Sequence, residues 1–587
     1  MSKKKKDESS QHLTWANIKK YAGGYRLPFF IAVIFATLGS ITTILGPDRL
    51  SEITDTILAG LTSSIDTEKV VGICVTLACL YGLGAILSYF QGFIMVTITQ
   101  KFSKALRKNV SEKIDRLPLN YFDSHNQGDT LSRVTNDLDT VGQSLNQSLS
   151  SLVPSVTLLV GAIIMMFHSD WHLALTAIAS VMIGFVMMAL ILGKSQKFFG
   201  EQQSKLGAVS SYAEEIYSGH SVITTYSAKD EVKEQFAKLN DDLYGSVWKA
   251  QFLSGLMQPM MIFIGNFGYV MVCVVGSVLA LNDVISFGVI VAFMVYIRLF
   301  TNPLGQLAQA FAALQSASAA LARVFEFLDE EEMEDETSKT RQLVDTKGDV
   351  EFKNVTFGYL EGQTIINDFS VEAKAGSKIA IVGPTGAGKT TIVNLLMKFY
   401  ETNHGDIRID GKSIHDMTRQ EVHDQFCMVL QDTWLMQGTI KENLIFNQTD
   451  VSDEDVVNAC KAVGLHHFIA TLPKGYETVL DDSVELSVGQ KQLMTIARAL
   501  IKQAPMLILD EATSSVDTRT EELIQKAMDR LMEGKTSFVI AHRLSTIRNA
   551  DQILVMKQGD IIEQGNHDEL LVQQGFYADL YNSQFAK

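Results

Sequence analysis

Six long apolar segments constrain the fold of this chain more than any other feature of its sequence. An α-helix needs about 20 residues to cross a bilayer, and each segment is close to that length. Because only helices and closed barrels satisfy their backbone polar groups in lipid, six such segments predict a helical membrane domain. The segments lie near residues 28–48, 70–97, 149–168, 171–193, 256–281 and 285–305.

The connections between these segments predict their orientation. Two connections are very short, His168-Ser169-Asp170 and Asn282-Asp283-Val284, so each closes a hairpin. The connections between the second and third segments and between the fourth and fifth are much longer and carry many Lys and Arg. The positive-inside rule then places both long connections and both termini in the cytoplasm.

The two long connections have helical patterning through residues 101–116 and 206–217. They lack the composition of a flexible linker. We therefore expect the membrane helices to continue into the cytoplasm and to turn tightly at residues 118–122 and 217–220. Arg298 is the clearest charge within a span, and such a charge indicates either a cavity or partner, or a side chain that reaches for the headgroups.

Overall charge limits the partners of the chain. The net charge of −16 argues against nucleic acid, because phosphate binding needs clustered Lys and Arg. Lys3 to Lys6 indicate a positively charged cytoplasmic tail, and we expect no cleaved signal peptide because no short apolar stretch follows it.

A phosphate-binding loop follows the run Ile379-Ala380-Ile381-Val382, which is typical of a buried parallel strand. The loop matches G-x-x-x-x-G-K-[ST] and precedes a helical pattern. Its glycines allow backbone N–H groups to curl around phosphates, Lys389 can reach the β- and γ-phosphates, and the Thr390 hydroxyl can ligate Mg²⁺. The predicted nucleotide-binding residues here are Gly383, Pro384, Thr385, Gly386, Ala387, Gly388, Lys389, Thr390 and Thr391.

A second apolar run, Met506-Leu507-Ile508-Leu509, ends in the acidic pair Asp510-Glu511. The carboxyl ends of parallel strands are where α/β proteins bind ligands. We expect Asp510 to hold the Mg²⁺ shell and Glu511 to polarise the attacking water.

Leu486-Ser487-Val488-Gly489-Gln490 stands directly before a helical pattern at Lys491–Ile501. With this motif the chain resembles the ATP-binding cassette (ABC) family, and specifically its exporters with an amino-terminal six-helix domain. The resemblance covers essentially the whole chain. It implies an all-α six-helix transmembrane domain followed by an α/β P-loop ATPase domain, with ATP and Mg²⁺ as cofactors.

The resemblance implies four domain regions. Residues 1–26 form a cytoplasmic tail with an interfacial helix, and residues 27–330 form the six-span domain with its helical extensions. A linker at residues 331–347 leads to the nucleotide-binding domain at residues 348–587.

The resemblance also implies roles for residues outside the phosphate loop. Tyr359 in Phe357-Gly358-Tyr359 would stack on adenine, which its flat ring suits. Gln431 would contact the metal shell and the water, and His542 would donate a hydrogen bond to the γ-phosphate. Ser515-Val516-Asp517 would span the dimer interface. The implied catalytic residues are Glu511, His542, Gln431 and Lys389, and the implied Mg²⁺ ligands are Thr390, Gln431 and Asp510.

The motif at 486–490 implies that the chain is half of a working unit. In the family, two cassettes pack head to tail, and each signature motif caps the nucleotide of the other. Ser487 would be the helix N-cap, and Ser487, Val488, Gly489 and Gln490 would act on the partner's nucleotide.

Val488 departs from the family's usual glycine, and acidic residues precede the motif. This combination resembles heterodimeric exporters with one competent and one weakened site. It favours a heterodimer in which this chain supplies the competent site; a homodimer is the alternative.

The resemblance implies ATP-driven export by alternating access across a plasma membrane, which we expect to be bacterial. The sparsely charged spans favour hydrophobic or amphipathic compounds, either drugs or lipids. The partners would be a second ABC half-transporter, a hydrophobic small molecule and the bilayer. The alternatives are a homodimeric lipid or peptide exporter and an ATP-gated sensor that transports nothing, which the intact Glu511 disfavours.

Overall fold

The computed structural model describes residues 23–61, 64–340, 343, 345–360, 362–430, 433–481, 486–510, 518–540 and 547–585. The chain divides into two compact units. One comprises Met1–Asp115 and Gly128–Glu330, and the other comprises Arg116–Gln127 and Glu331–Lys587. Arg116–Gln127 therefore groups with the carboxy-terminal unit although it lies between two membrane helices in the sequence.

The amino-terminal half of the chain is helical. Within the described residues, six helical stretches are long and apolar enough to cross a membrane, so the six predicted spans are confirmed. The helices are α1 (Arg26–Ile44), α2 (Gly46–Gly60), α3 (Thr67–Arg116), α4 (Leu119–Ser124), α5 (Gln127–Ser132), α6 (Leu138–Ser169), α7 (Trp171–Ser218), α8 (His220–Thr225), α9 (Lys229–Gly255), α10 (Met257–Leu281) and α11 (Phe287–Leu328).

Several spans are much longer than a bilayer is thick. Helix α3 has 50 residues and α7 has 48. At 1.5 Å per residue such helices measure about 70–75 Å, whereas the hydrocarbon core measures about 30 Å. The predicted continuation of the helices beyond the apolar segments is confirmed.

One of the two predicted turns is wrong. Residues 119–124 form the short helix α4 rather than a turn, because Pro118, with φ −67° and ψ 152°, starts the helix directly after α3. The turn near residue 219 is confirmed, since α7 ends at Ser218 and α8 begins at His220.

Small and polar residues hold α6 against α11 in the amino-terminal unit. The Ser148 hydroxyl donates to the Ala310 carbonyl at 3.0 Å, and the Ser155 hydroxyl donates to Gln306 Oε1 at 2.9 Å. Such small residues let membrane helices approach closely.

The described residues of the carboxy-terminal unit form three sheets. The strands are β1 (Val350–Phe357), β2 (Ile366–Ala373), β3 (Lys378–Val382), β4 (His404–Ile409), β5 (Lys412–Ser413), β6 (Phe426–Val429), β7 (Gly438–Thr439), β8 (Val479–Leu480), β9 (Met506–Asp510), β10 (Thr536–Ile540), β11 (Gln552–Lys557) and β12 (Asp560–Gly565). A mixed six-stranded sheet has the order β12-β11-β3-β10-β9-β6, a four-stranded sheet has the order β2-β1-β4-β5, and β7 pairs with β8.

Helices accompany these strands along the chain, so the predicted α/β class is confirmed. The central strands β3 and β10 are buried almost throughout, as parallel strands covered on both faces are. The helices are α12 (Lys389–Leu396), α13 (Arg419–Asp424), α14 (Ile440–Ile445), α15 (Asp453–Ala462), α16 (His466–Thr471), α17 (Val488–Lys502), α18 (Thr518–Met532), α19 (His567–Val572) and α20 (Phe576–Phe585).

Strand β10 brings the two predicted nucleotide motifs to one edge of the sheet. It runs parallel to both β3 and β9, and Ile540 pairs with Ile381 on one side and with Asp510 on the other. The loop after β3 and the acid at the end of β9 therefore flank the carboxyl end of β10. This edge is where open α/β sheets bind ligands.

Candidate nucleotide-binding site

Three glycines give the phosphate loop its shape. Gly383, Gly386 and Gly388 have φ angles of 156°, 81° and 98°, in a region that side chains other than glycine rarely adopt. A Cβ atom on Gly383 would lie 2.3 Å from the Met556 carbonyl oxygen. On Gly388 it would lie 2.7 Å from Ile366 Cδ1. A loop curled in this way turns its backbone N–H groups inward, which forms a cradle for an anion.

Lys389 begins α12 and reaches back across the loop. Its side chain is buried, and Nζ donates to the carbonyl oxygens of Gly383 at 2.8 Å and Pro384 at 3.0 Å. Burial lowers the pKa of Lys389, and the negative charge of Asp510 acts in the opposite direction. The structure thus brings the predicted phosphate-binding lysine and the predicted metal-binding acid into electrostatic contact.

The remaining loop residues differ in exposure. Ala387 is buried, and its carbonyl accepts a hydrogen bond from the Gly559 N–H at 3.2 Å. Thr391 is also buried, whereas Pro384, Thr385 and Thr390 are exposed. The Thr390 hydroxyl and the half-buried Asp510 carboxylate are oxygen donors, the kind that Mg²⁺ prefers. The residues of this cradle therefore fit a magnesium nucleotide.

Tyr359 is anchored to the helix that follows the loop. Its hydroxyl donates to Thr391 Oγ1 at 3.3 Å and accepts from Asn394 Nδ2 at 3.3 Å. The predicted adenine-stacking ring is therefore held beside the phosphate loop. The sequence analysis missed Asn394. Its position three residues after Thr391, as a single amide among apolar helix residues, could have indicated a polar contact at the site.

We expect Tyr359→Phe to weaken ATP binding about 3- to 10-fold, or by about 0.6–1.4 kcal/mol, because the hydrogen bonds that orient the ring are lost while its aromatic face remains. Tyr359→Ala should weaken binding further, because it also removes the ring. Titration of the full-length protein with a fluorescent ATP analogue, competed with ATP, measures both effects. Equal affinities for the natural and Phe proteins would show that the hydroxyl does not orient the ring.

The signature segment forms the capped start of α17. Ser487 Oγ accepts from the Gln490 N–H at 3.2 Å, and Gln490 Oε1 accepts from the Ser487 N–H at 2.9 Å. This capping box starts the helix at Val488, three residues before the predicted Lys491, and confirms Ser487 as the N-cap. Gly489 is buried, whereas Val488 is 56% exposed.

Some predicted site residues lie outside the described part of the chain. They are Gln431, Glu511, Ser515, Val516, Asp517 and His542. The strands that precede them, β6, β9 and β10, are neighbours in the parallel sheet. These strands end at Val429, Asp510 and Ile540, at the edge that carries the phosphate loop. The predicted roles of these residues stay predictions.

Comparison with known proteins assigns both halves of the chain. Residues 29–304 match the family model described as "ABC transporter transmembrane region", and residues 366–514 match the one described as "ABC transporter".

Relatives match over most of their length. The chain is 47% identical over 499 residues to a "Fatty acid ABC transporter ATP-binding/permease protein" of Mycobacterium bovis, covering 85% of this chain and 79% of that protein. It is 41% identical over 588 residues to the "Uncharacterized ABC transporter ATP-binding protein YfiC" of Bacillus subtilis, covering 100% and 96%. It is 35% identical over 523 residues to the "Probable multidrug resistance ABC transporter ATP-binding/permease protein YheH" of the same species, covering 87% and 77%.

Proposed function

The chain belongs to the ABC transporter family as an exporter with one multi-pass membrane domain and one ATPase domain, and from this we propose that it moves hydrophobic or amphipathic compounds out across a bacterial plasma membrane as one half of a heterodimer. The observation that carries the proposal is the union in one chain of six apolar spans with a glycine-shaped phosphate loop. Both termini and the ATPase domain lie on the cytoplasmic side, as the charge of the long connections favours.

The chain's own residues supply ATP binding and turnover. The loop N–H groups and Lys389 hold the phosphates, Tyr359 supports the adenine, and Glu511 orients the attacking water. His542 donates to the γ-phosphate, and Gln431 would contact the metal shell and the attacking water. Thr390, Asp510 and Gln431 would hold Mg²⁺, which when bound would supply positive charge beside the phosphates.

An apolar substrate is favoured by two observations. The spans carry few charges, and Arg298, the clearest of them, is exposed in the isolated chain. The printed names of two relatives refer to fatty acids and to multidrug resistance. We therefore propose substrates with a hydrocarbon or aromatic body, and drugs and lipids both meet this description.

Transport is tested in vesicles that contain the purified transporter with its ATPase domain outside. The expected result is ATP-dependent accumulation, inside the vesicle, of a fluorescent fatty acid or of a bis-benzimide dye. ATP hydrolysis without accumulation of either probe would contradict the proposed substrate class. Hydrolysis that no lipid, peptide or dye stimulates would favour a sensor.

The heterodimer is supported by the signature segment. Val488 is the first residue of α17, and its exposed side chain adds bulk at the helix end that the family turns towards the partner's nucleotide. The intact phosphate loop of this chain would then serve the competent site. Residues 482–485, which include the acids Asp482 and Glu485 before the signature, lie outside the described part of the chain.

Co-purification tests the partner. When the chain is expressed with its partner half-transporter, the two should elute together in equal amounts and hydrolyse ATP at least about tenfold faster than this chain alone. A fully active transporter from this chain alone would establish the homodimer instead.

A further inference from the structure

Arg298 lies deep inside the last membrane span. Helix α11 begins at Phe287, so Arg298 lies about 16 Å further along the helix at 1.5 Å per residue. The hydrocarbon core is about 30 Å thick, which leaves about 14 Å between Arg298 and the inner boundary. An arginine side chain extends about 7 Å over six bonds of about 1.5 Å. The guanidinium therefore falls short of both headgroup layers, which argues against the alternative that it reaches for them.

The helices that pack against α11 at this depth supply no counter-charge for Arg298. The next charged residue on α11 itself is Arg323, and α10 has no charged residue along its whole length. The described part of α6 from residue 140 to residue 167 has no acidic residue. Asp55 of α2 does reach α11, but it accepts from the Gly288 N–H at 2.8 Å, about 15 Å before Arg298. A charge in this position indicates a cavity or an external partner.

Arg298 begins an exposed polar stripe on α11. Asn302 follows four residues later and Gln309 seven residues after that, so all three lie on one face of the helix. Their side chains are exposed in the chain, whereas Tyr296 and Phe300 on the opposite face are buried. The guanidinium and the amide NH₂ groups are hydrogen-bond donors. Because lipid tails offer no acceptors, such a stripe faces a water-filled path or a ligand rather than lipid.

An apolar helix borders this polar stripe. Gly305 lies on the same face between Asn302 and Gln309, and a Cβ atom there would lie 3.9 Å from Met261 Cε of α10. A methionine side chain is flexible and apolar, so it packs against hydrocarbon chains of different shapes. A ligand on the stripe would therefore meet a cation with amide donors along α11 and an apolar wall on α10. This combination fits an amphipathic anion.

We propose that Arg298 and Asn302 bind the carboxylate of a long-chain amphipathic anion during transport, while its hydrocarbon chain lies against α10; this narrows the substrate class of the proposed function and rests on it. The N–H groups of a guanidinium match the two oxygens of a carboxylate. The Asn302 amide adds a donor one turn further along the helix. Between Arg298 and Gln309 the helix carries no second cation, so one negative charge is balanced and two are not.

Binding of a fluorescent long-chain carboxylate to the full transporter, measured without ATP, tests the headgroup contact. The uncharged methyl ester of the same compound is the matched probe. Arg298→Gln should weaken carboxylate binding at least about tenfold, because a charge-assisted hydrogen-bonded pair is lost, and should change methyl ester binding less than about twofold. Arg298→Lys keeps the positive charge and should bind the carboxylate within about fivefold of the natural protein. Equal carboxylate affinities of the natural and Arg298→Gln proteins would overturn the proposal.

Arg26→Gln is the control for the loss of a positive charge elsewhere. Arg26 is exposed at the start of α1, outside the polar stripe, so this variant should bind both probes as the natural protein does. An equal loss of carboxylate binding in Arg26→Gln would show that overall charge attracts the probe, which would overturn the proposal.

Two other occupants of the stripe are distinguished in the same experiments. An Arg298→Gln chain that no longer assembled with its partner chain would show that Arg298 pairs with an acid of the partner, which would overturn the proposal. Displacement of the probe by phosphatidylglycerol as strong as by an unlabelled long-chain carboxylate would do the same, because a lipid phosphate would then be the ligand. Binding that depends on Arg298 without ATP-dependent accumulation in vesicles would contradict the proposed export alone. Accumulation of the dye without such binding would contradict the headgroup site alone.

Discussion

A chain that carries Glu511→Gln is expected to hydrolyse ATP at least about 100-fold more slowly than the natural chain, since removal of a positioned general base typically costs 10²–10⁴-fold. Glutamine keeps the size and hydrogen-bonding shape of the side chain but does not accept the proton of the attacking water. ATP should bind as tightly as before, because the phosphate loop, Lys389 and Tyr359 are unchanged. Phosphate release and fluorescent-nucleotide binding, measured on one preparation of the full transporter, separate these two quantities.

Glu522→Gln is the matched control for Glu511→Gln. Glu522 lies on the exposed side of α18, so the same chemical change there should leave hydrolysis within about twofold of the natural rate. Hydrolysis at the natural rate in the Glu511→Gln protein would remove Glu511 as the base. In the proposed heterodimer, the equivalent change in the partner chain should have a much smaller effect, because the partner's site is the weakened one.

Features with a local cause could be predicted from the sequence. Spans follow from continuous apolar runs, and the strand–loop–helix around Lys389 follows from glycine spacing between two apolar stretches. Ser487 is likewise identifiable as a cap, because Gln490 stands three residues later. The predicted helix nevertheless begins three residues late, since the apolar pattern itself becomes regular only after the capped turn.

Features that depend on distant pairing could not be predicted. Nothing in the order of motifs shows that β10 lies between β3 and β9. The family resemblance, and not the spacing of the residues, implies that Asp510 and the phosphate loop share one site. The contact between Tyr400 and Asp123 joins residues 277 positions apart. The sequence did not predict this contact, because it predicted a turn for residues 118–122 and no residue pair between that turn and the ATPase domain. A segment treated as a loop tip is in fact a helix that groups with the ATPase domain.

Gly383→Ala is expected to weaken ATP binding about 100-fold, which corresponds to about 2.7 kcal/mol. The added Cβ would lie 2.3 Å from the Met556 carbonyl oxygen, and this atom belongs to the backbone of β11, which pairs with β3. Because neither strand can yield without loss of ladder hydrogen bonds, the phosphate loop must move instead. Its N–H groups then no longer converge on one anion. Nucleotide titration together with thermal unfolding of the full-length protein measures the effect.

Alanine variants of two other glycines should lose less ATP affinity than Gly383→Ala does, and so they test its cause. Gly388→Ala should have a smaller effect, because its Cβ would meet Ile366 Cδ1 at 2.7 Å, and the end of a flexible side chain can rotate away. Gly376→Ala shares the positive φ, at 77°, but has open space around it, so it should cost only about 1–2 kcal/mol of stability and leave ATP affinity unchanged. If all three variants bound ATP equally well, steric contact with β11 would not be what requires glycine at 383. If Gly376→Ala lost binding as Gly383→Ala does, general destabilisation rather than the loop geometry would explain the loss.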